Sequence, residues 1–195
     1  MEKPCAQINT IPNVLVPLAQ GCEELEAVTI TDLLTRAGIN VITAGLDENI
    51  VTASRGMKLV PDKTLDDVIN DDFDMVVLPG GLPGADHLNN DSRIQALVKR
   101  LAANNKYTAA ICAAPRVLAT AGVLQGKHVT SFPGALDQFP VKDIIYEETA
   151  VVVDGQVITS RGPGTAMDFA LTLIELLSGK TKRDEVEAAL QRVKD

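Results

Sequence analysis

A chain of 195 residues is the length of one domain or slightly more, at roughly 150 residues per domain. Hydrophobic residues make up 46% and charged residues 23%, which excludes disordered, collagen-like and fibrous classes. The formal net charge of -8 and the lack of any basic cluster make nucleic acid and anionic membranes poor partners.

In chain order, Met1–Pro12 is a polar stretch with two prolines. It is expected to be an extension outside the core, and without a continuous apolar run it does not read as a secretory leader. Asn13–Leu18 reads as a strand. The helix that follows begins near Cys22, carries Glu23, Glu24 and Glu26 where the dipole favours negative charge, and ends at Arg36-Ala37-Gly38. Further strands are expected at Val41–Gly45, Val51–Ala53, Met75–Pro79, Thr108–Cys112 and Val129–Ser131. Asp154-Gly155 joins Val151–Val153 to Val157–Thr159 as a hairpin. Thr165–Leu177 reads as a helix packed on most sides, because its polar positions form only a narrow stripe. This alternation predicts an α/β fold, a mostly parallel sheet with helices on both faces, in one domain over residues 13–195.

No apolar run approaches the roughly 20 residues of a membrane span. Cys5, Cys22 and Cys112 cannot all pair and match no zinc spacing, so a reduced cytoplasmic setting is expected. Gly179-Lys180-Thr181 lacks the earlier glycine of a P-loop and follows a helix. Gly80-Gly81-Leu82-Pro83-Gly84 has neither the spacing nor the backbone donors of a dinucleotide loop. His87 and His128 have no cysteine pair nearby. Neither a cofactor nor a metal is expected.

Chemistry concentrates at Ala110-Ile111-Cys112-Ala113-Ala114-Pro115, where a strand runs into a helix with small residues around a cysteine. That is the steric pattern of a nucleophile elbow, and a helix N-terminus favours a thiolate. The same residues also suit a small core hydrophobe at a strand end; the pattern alone leaves both open. Glu26, one turn into the first helix, is carried to the same carboxyl edge of the sheet, where burial would raise its pKa. Glu23 and Glu24 read as dipole-favoured surface charge. Cys22 stands near a helix start that favours a thiolate, and Cys5 is expected in a mobile tail.

Four motifs in order, Glu23-Glu24-Leu25-Glu26-Ala27-Val28, Leu78-Pro79-Gly80-Gly81, Ala109-Ala110-Ile111-Cys112-Ala113 and Thr159-Ser160-Arg161-Gly162-Pro163-Gly164-Thr165, resemble the ThiJ/PfpI superfamily, in particular its DJ-one-like branch. The resemblance runs from Asn13 to Leu190. It implies a flavodoxin-like α/β sandwich that forms a homodimer. Cys112 matches the nucleophile, Glu26 the acid hydrogen-bonded to it, and Gly81 and Ala113 the residues whose N–H groups border the sulfur. Arg36 and Arg55 match arginines near a dimer-proximal pocket, and ordinary surface or interface arginines fit them equally well.

There are departures from the pattern. Ala113 replaces the histidine of protease-like members, which weakens a peptidase reading. Phe132 in Thr130-Ser131-Phe132-Pro133 replaces the histidine of the DJ-one-like branch. His128, four residues back along a strand and so roughly 13 Å away, is a poor substitute. Ala53 replaces a further oxidisable cysteine. The resemblance then implies a cofactor-independent cysteine enzyme acting on reactive α-oxoaldehydes such as methylglyoxal or on glycated substrates, of glutathione-independent glyoxalase or deglycase type, with a part in carbonyl and oxidative stress protection. The alternative is a redox sensor or chaperone in which Cys112 is oxidised to sulfinate without turnover.

Overall fold

The computed structural model describes residues 11–192; the expected extension over residues 1–12 falls almost entirely outside them, and Cys5 does so wholly. The chain runs β1 (Asn13–Leu18), α1 (Glu24–Arg36), β2 (Asn40–Gly45), β3 (Val51–Thr52), β4 (Lys58–Leu59), β5 (Lys63–Thr64), α2 (Leu65–Val68), β6 (Met75–Leu78), α3 (Gly84–Asn90) and α4 (Ser92–Ala103). It continues with β7 (Tyr107–Ile111), α5 (Pro115–Thr120), β8 (His128–Val129), β9 (Ile145–Tyr146), β10 (Val151–Asp154), β11 (Val157–Ser160), α6 (Ala166–Ser178) and α7 (Lys180–Ala189). The main sheet has the order β10-β11-β7-β6-β1-β2-β5. All its pairings are parallel except that of β10 with β11.

The alternation of side chains along a strand explains the two-sided core. Val14 and Val16 of β1 join Met75, Val77 and Ile111 on one face, beneath α1 and α6, while Leu15, Val76, Leu78 and Ala110 face the layer of α3, α4 and α5. Apolar runs buried on both faces are what a parallel sheet covered by helices requires. This is a flavodoxin-like α/β sandwich. The strand order reverses between β1 and β6, and open α/β sheets place ligands outside the carboxyl ends of their strands at such a point.

Local signals read from the sequence reappear with their physical cause. Glu23 is the N-cap of α1 and its carboxylate accepts from Glu26 N at 2.8 Å. Gly38 ends α1's exit turn at φ 76°, a left-handed geometry that only glycine adopts without cost. Asp154 and Val157 close the hairpin around Gly155. The expected strand Val129–Ser131 shrinks to His128–Val129, because Thr130 N donates to the Thr159 side chain instead of extending a ladder. The strands β4, β5 and β9 are two residues each and too short to leave a periodic trace. Among the described residues, no helix is long and apolar enough to cross a membrane.

Candidate active site

The strand β7 stops at Ile111 and α5 starts at Pro115, so Cys112 stands in the sharp turn between them at φ 62°. A left-handed conformation at a non-glycine residue costs on the order of 1–3 kcal/mol and persists only where its surroundings hold it. Cys112 N donates to Ser160 O at 3.0 Å, Phe132 N donates to Cys112 O at 2.9 Å, and Ala114 N donates to Ile111 O at 3.0 Å. The Thr159–Thr165 motif thus contributes Ser160 O as one of the groups that hold the elbow.

Glycines make room for the chemistry. A Cβ on Gly80 would lie 2.6 Å from Cys112 Cβ and 2.8 Å from Glu26 Oε2, so a side chain here would drive cysteine and carboxyl apart. Gly81 has φ 84°, and its own Cβ would fall 2.5 Å from Glu23 N. The N–H groups of Gly81 and Ala113 both act on the Cys112 sulfur and pull its pKa down. The structure therefore brings together Cys112, Glu26, Gly81 and Ala113.

Glu26 is fully buried at 0% exposure. Its Oε2 accepts from Gly80 N at 2.8 Å, and its Oε1 has no hydrogen-bond partner of good geometry among the described residues. Burial pushes the carboxyl up to about 7, against the pull of the Gly80 N–H and the Cys112 thiol. The Cys112 thiol, 8% exposed, is pushed up to about 12 by burial first and by the Glu26 charge second. The expectation that the helix N-terminus leaves a free thiolate is thereby corrected: with Glu26 ionised, burial and the carboxylate outweigh the two backbone donors. The two groups form a coupled pair, and a thiolate arises when the carboxyl takes the sulfur's proton.

Cys112 opens into a cleft of about 450 Å³ whose lining includes Arg55, Leu82, Arg116, Phe132 and Pro163. Phe132, at 51% exposure, stands on the rim where the resemblance led to a comparison with histidine. His128 lies outside the cleft lining, with Nδ1 2.5 Å from Glu147. Arg55 lines the cleft. Arg36 does not: it closes the far end of α1, roughly 18 Å along the axis from Glu24 at 1.5 Å per residue, and pairs with Asp32 at 2.7 Å.

Glu24 is not surface charge. It is 9% exposed and its carboxylate accepts from Ser54 Oγ at 3.0 Å, Arg55 N at 2.8 Å and Met57 N at 3.4 Å. Burial acts to raise its pKa, but these donors prevail and hold it below the usual carboxylate range. Cys22 is buried at the base of the same loop, and its thiol is pushed up to about 11 by burial and by Glu24. It is no thiolate at neutral pH. Sequence reading also passed over Arg116, whose only local sign is its place directly after the elbow proline.

A parallel α/β sandwich with a strained cysteine on a strand-to-helix elbow, coupled to a buried glutamate, defines the class. The DJ-1/PfpI family pattern matches residues 12–176, and the chain belongs to that family. The protein dj-1beta of Drosophila melanogaster is 45% identical over 179 residues, covering 91% of this chain and 96% of the fly protein. The fly protein's crystal structure superposes with a TM-score of 0.89, covering 95% of this chain and 100% of that one. Protein DJ-1 homolog A of Arabidopsis thaliana is 42% identical over 91% of this chain, which spans only 46% of the plant protein. A glutathione-independent glyoxalase of Caenorhabditis elegans, DJR-1.2, is 36% identical over 89% of this chain and 91% of its own.

Proposed function

We propose that the protein is a cofactor-independent cysteine enzyme that converts α-oxoaldehydes such as methylglyoxal into 2-hydroxy acids without glutathione. The observation that carries this reading is the buried Glu26 carboxyl, coupled to Cys112 and held near neutrality, beneath an open cleft. The likeness to the worm glyoxalase supports it.

Glu26 takes the thiol proton as Cys112 Sγ bonds to the aldehyde carbon, and the carbonyl oxygen gathers charge beside the Gly81 and Ala113 N–H groups until Glu26 passes that proton to it, leaving a hemithioacetal and an ionised Glu26. The hemithioacetal carbon then loses its proton to Glu26, giving an enediolate whose negative charge lies on the former ketone oxygen. Glu26 returns that proton to the neighbouring carbon, and the hydroxyl proton passes to the adjacent oxygen as its own C–O bond closes to the thioester carbonyl. Water adds to the thioester, the C–S bond breaks, and the hydroxy acid leaves with Cys112 reprotonated. The net change is addition of one water. Lactate formed from methylglyoxal with no glutathione, metal or nucleotide, and lost in Cys112→Ser, tests the reading; no lactate from reduced wild type overturns it.

A deglycase activity would use the same cysteine on a glycated amine. The sensor reading draws on the same pair: a neutral Glu26 can donate to a Cys112 sulfinate. Mild peroxide should then add two oxygens to Cys112, read by intact mass and peptide mapping. A homodimer is part of the proposal, since α1 leaves Leu25 and Val28 exposed on its outer face. Light scattering at twice the 20.7 kDa chain mass is the expected result. A reducing, cytoplasmic setting suits the free thiol.

A further inference from the structure

Arg116 sits in the first turn of α5 with a side chain only 13% exposed, on the cleft wall. Its Nε donates to Ala113 O at 3.0 Å and its Nη1 donates to Asp86 Oδ1 at 2.6 Å. The guanidinium carbon stands 5.2 Å from the centroid of the Phe139 ring. Two of these contacts reach the two backbone segments that supply N–H groups to the cysteine. Ala113 belongs to the elbow. Asp86 lies in the first turn of α3, and that turn is tied to Gly81 because Ala85 N donates to Gly81 O at 2.8 Å.

We infer that Arg116 is a positioning residue, a strut between α3 and the elbow that sets the spacing of the Gly81 and Ala113 N–H groups around Cys112. The planar fork of a guanidinium offers donors at fixed separation, so one side chain can hold two acceptors in a defined geometry; a lysine ammonium on its flexible stem cannot. Stacking on Phe139 restrains the fork and shields it from water. The inference leans on the proposed function only for what the two N–H groups are used for, and its test reads the thiol itself.

The charged groups around the sulfur are Glu26 from α1, Glu23 at the N-cap of that helix, Arg55 from the loop after β3, and Arg116 with its partner Asp86. Deleting the Arg116 charge would alone disfavour a thiolate, so the test needs variants in which charge and strut predict opposite signs. The measurement is the rate of Cys112 alkylation by iodoacetamide against pH on the full chain, assigned by peptide mass mapping. Arg116→Met should slow alkylation at neutral pH about tenfold and move the profile about one pH unit upward. Arg116→Lys, which keeps the charge and loses the fork, should resemble Arg116→Met. Asp86→Asn should also slow the reaction, by about threefold, although removing an anion favours a thiolate electrostatically.

A lysine variant that behaves like wild type, or a faster Asp86→Asn, would overturn the strut in favour of simple charge. An unchanged profile in a folded Arg116→Met of lower melting temperature would overturn it in favour of fold support alone. With methylglyoxal, kcat should fall about tenfold in Arg116→Met while KM stays within about twofold. A raised KM at unchanged kcat would make Arg116 a substrate ligand and overturn the inference. If wild type makes no lactate the glyoxalase reading falls, and the alkylation profiles alone decide on the strut.

Discussion

Glu24 and Glu26 are two residues apart on one turn of α1, both are buried, and their pKa values move in opposite directions. Glu24 faces the loop after β3, where Ser54, Arg55 and Met57 turn donors onto its carboxylate. Glu26 faces the elbow, where Gly80 N is the one backbone donor to its carboxyl and Oε1 is left without a partner among the described residues. Burial raises both; the supply of donors decides which carboxyl stays charged. The Glu24 region is built to hold a loop, and the Glu26 region to hold a proton.

The largest expected effect is on the proton-holding side. Glu26→Gln should lower lactate formation by about 10²–10⁴-fold, the usual scale of general acid–base catalysis. Glu26→Asp should fall between, and mass spectrometry should still detect the Cys112 adduct in the glutamine variant. Turnover unaffected by Glu26→Gln would erase the functional contrast between the two carboxyls.

The next effect is on stability against pH. Glu26 has a folded pKa near 7, above its unfolded value, so the folded protein holds the extra proton and stability falls as pH rises through that window. The loss is on the order of 3 kcal/mol, complete above the folded pKa. Denaturant titrations of wild type and Glu26→Gln at pH 5 and pH 8 check it: the variant's stability should change less between them, and parallel curves would show that burial does not raise this carboxyl.

Glu24→Gln should cost less, about 1–2 kcal/mol for weakened hydrogen bonds to a charged acceptor. Here the sign reverses: the folded pKa is depressed, so the stabilisation is present above the unfolded pKa and lost as pH falls through the folded one. Hydrogen exchange at Arg55 and Met57 should speed up, with turnover reduced by less than about tenfold. The smallest change belongs to Arg36→Ala, which removes an exposed ion pair at the far end of α1. Its turnover should match wild type, and a clear loss would place Arg36 at a site shared between two chains.

The elbow was legible because its constraints are local. Small residues on both sides of Cys112 and a proline three positions later mark a turn that larger side chains would block, and the left-handed φ at Cys112 is the result. Glu26 was legible through its place one turn into the helix after β1. Glu24 was misread because its partners lie 30 or more residues away, on a loop with no periodic signal. Arg116 was passed over for the same reason, since Asp86 is 30 residues distant.

The amino-acid order by itself determined the layered parallel fold, the hairpin at Asp154-Gly155 and the cysteine on its turn, because strand alternation, helix caps and turn sterics act over a few neighbouring residues. Only the tertiary structure decided the protonation of the site. A carboxyl's charge depends on the water removed and the donors supplied by segments distant in the chain, and those meet only once β1, β6 and β7 stand side by side.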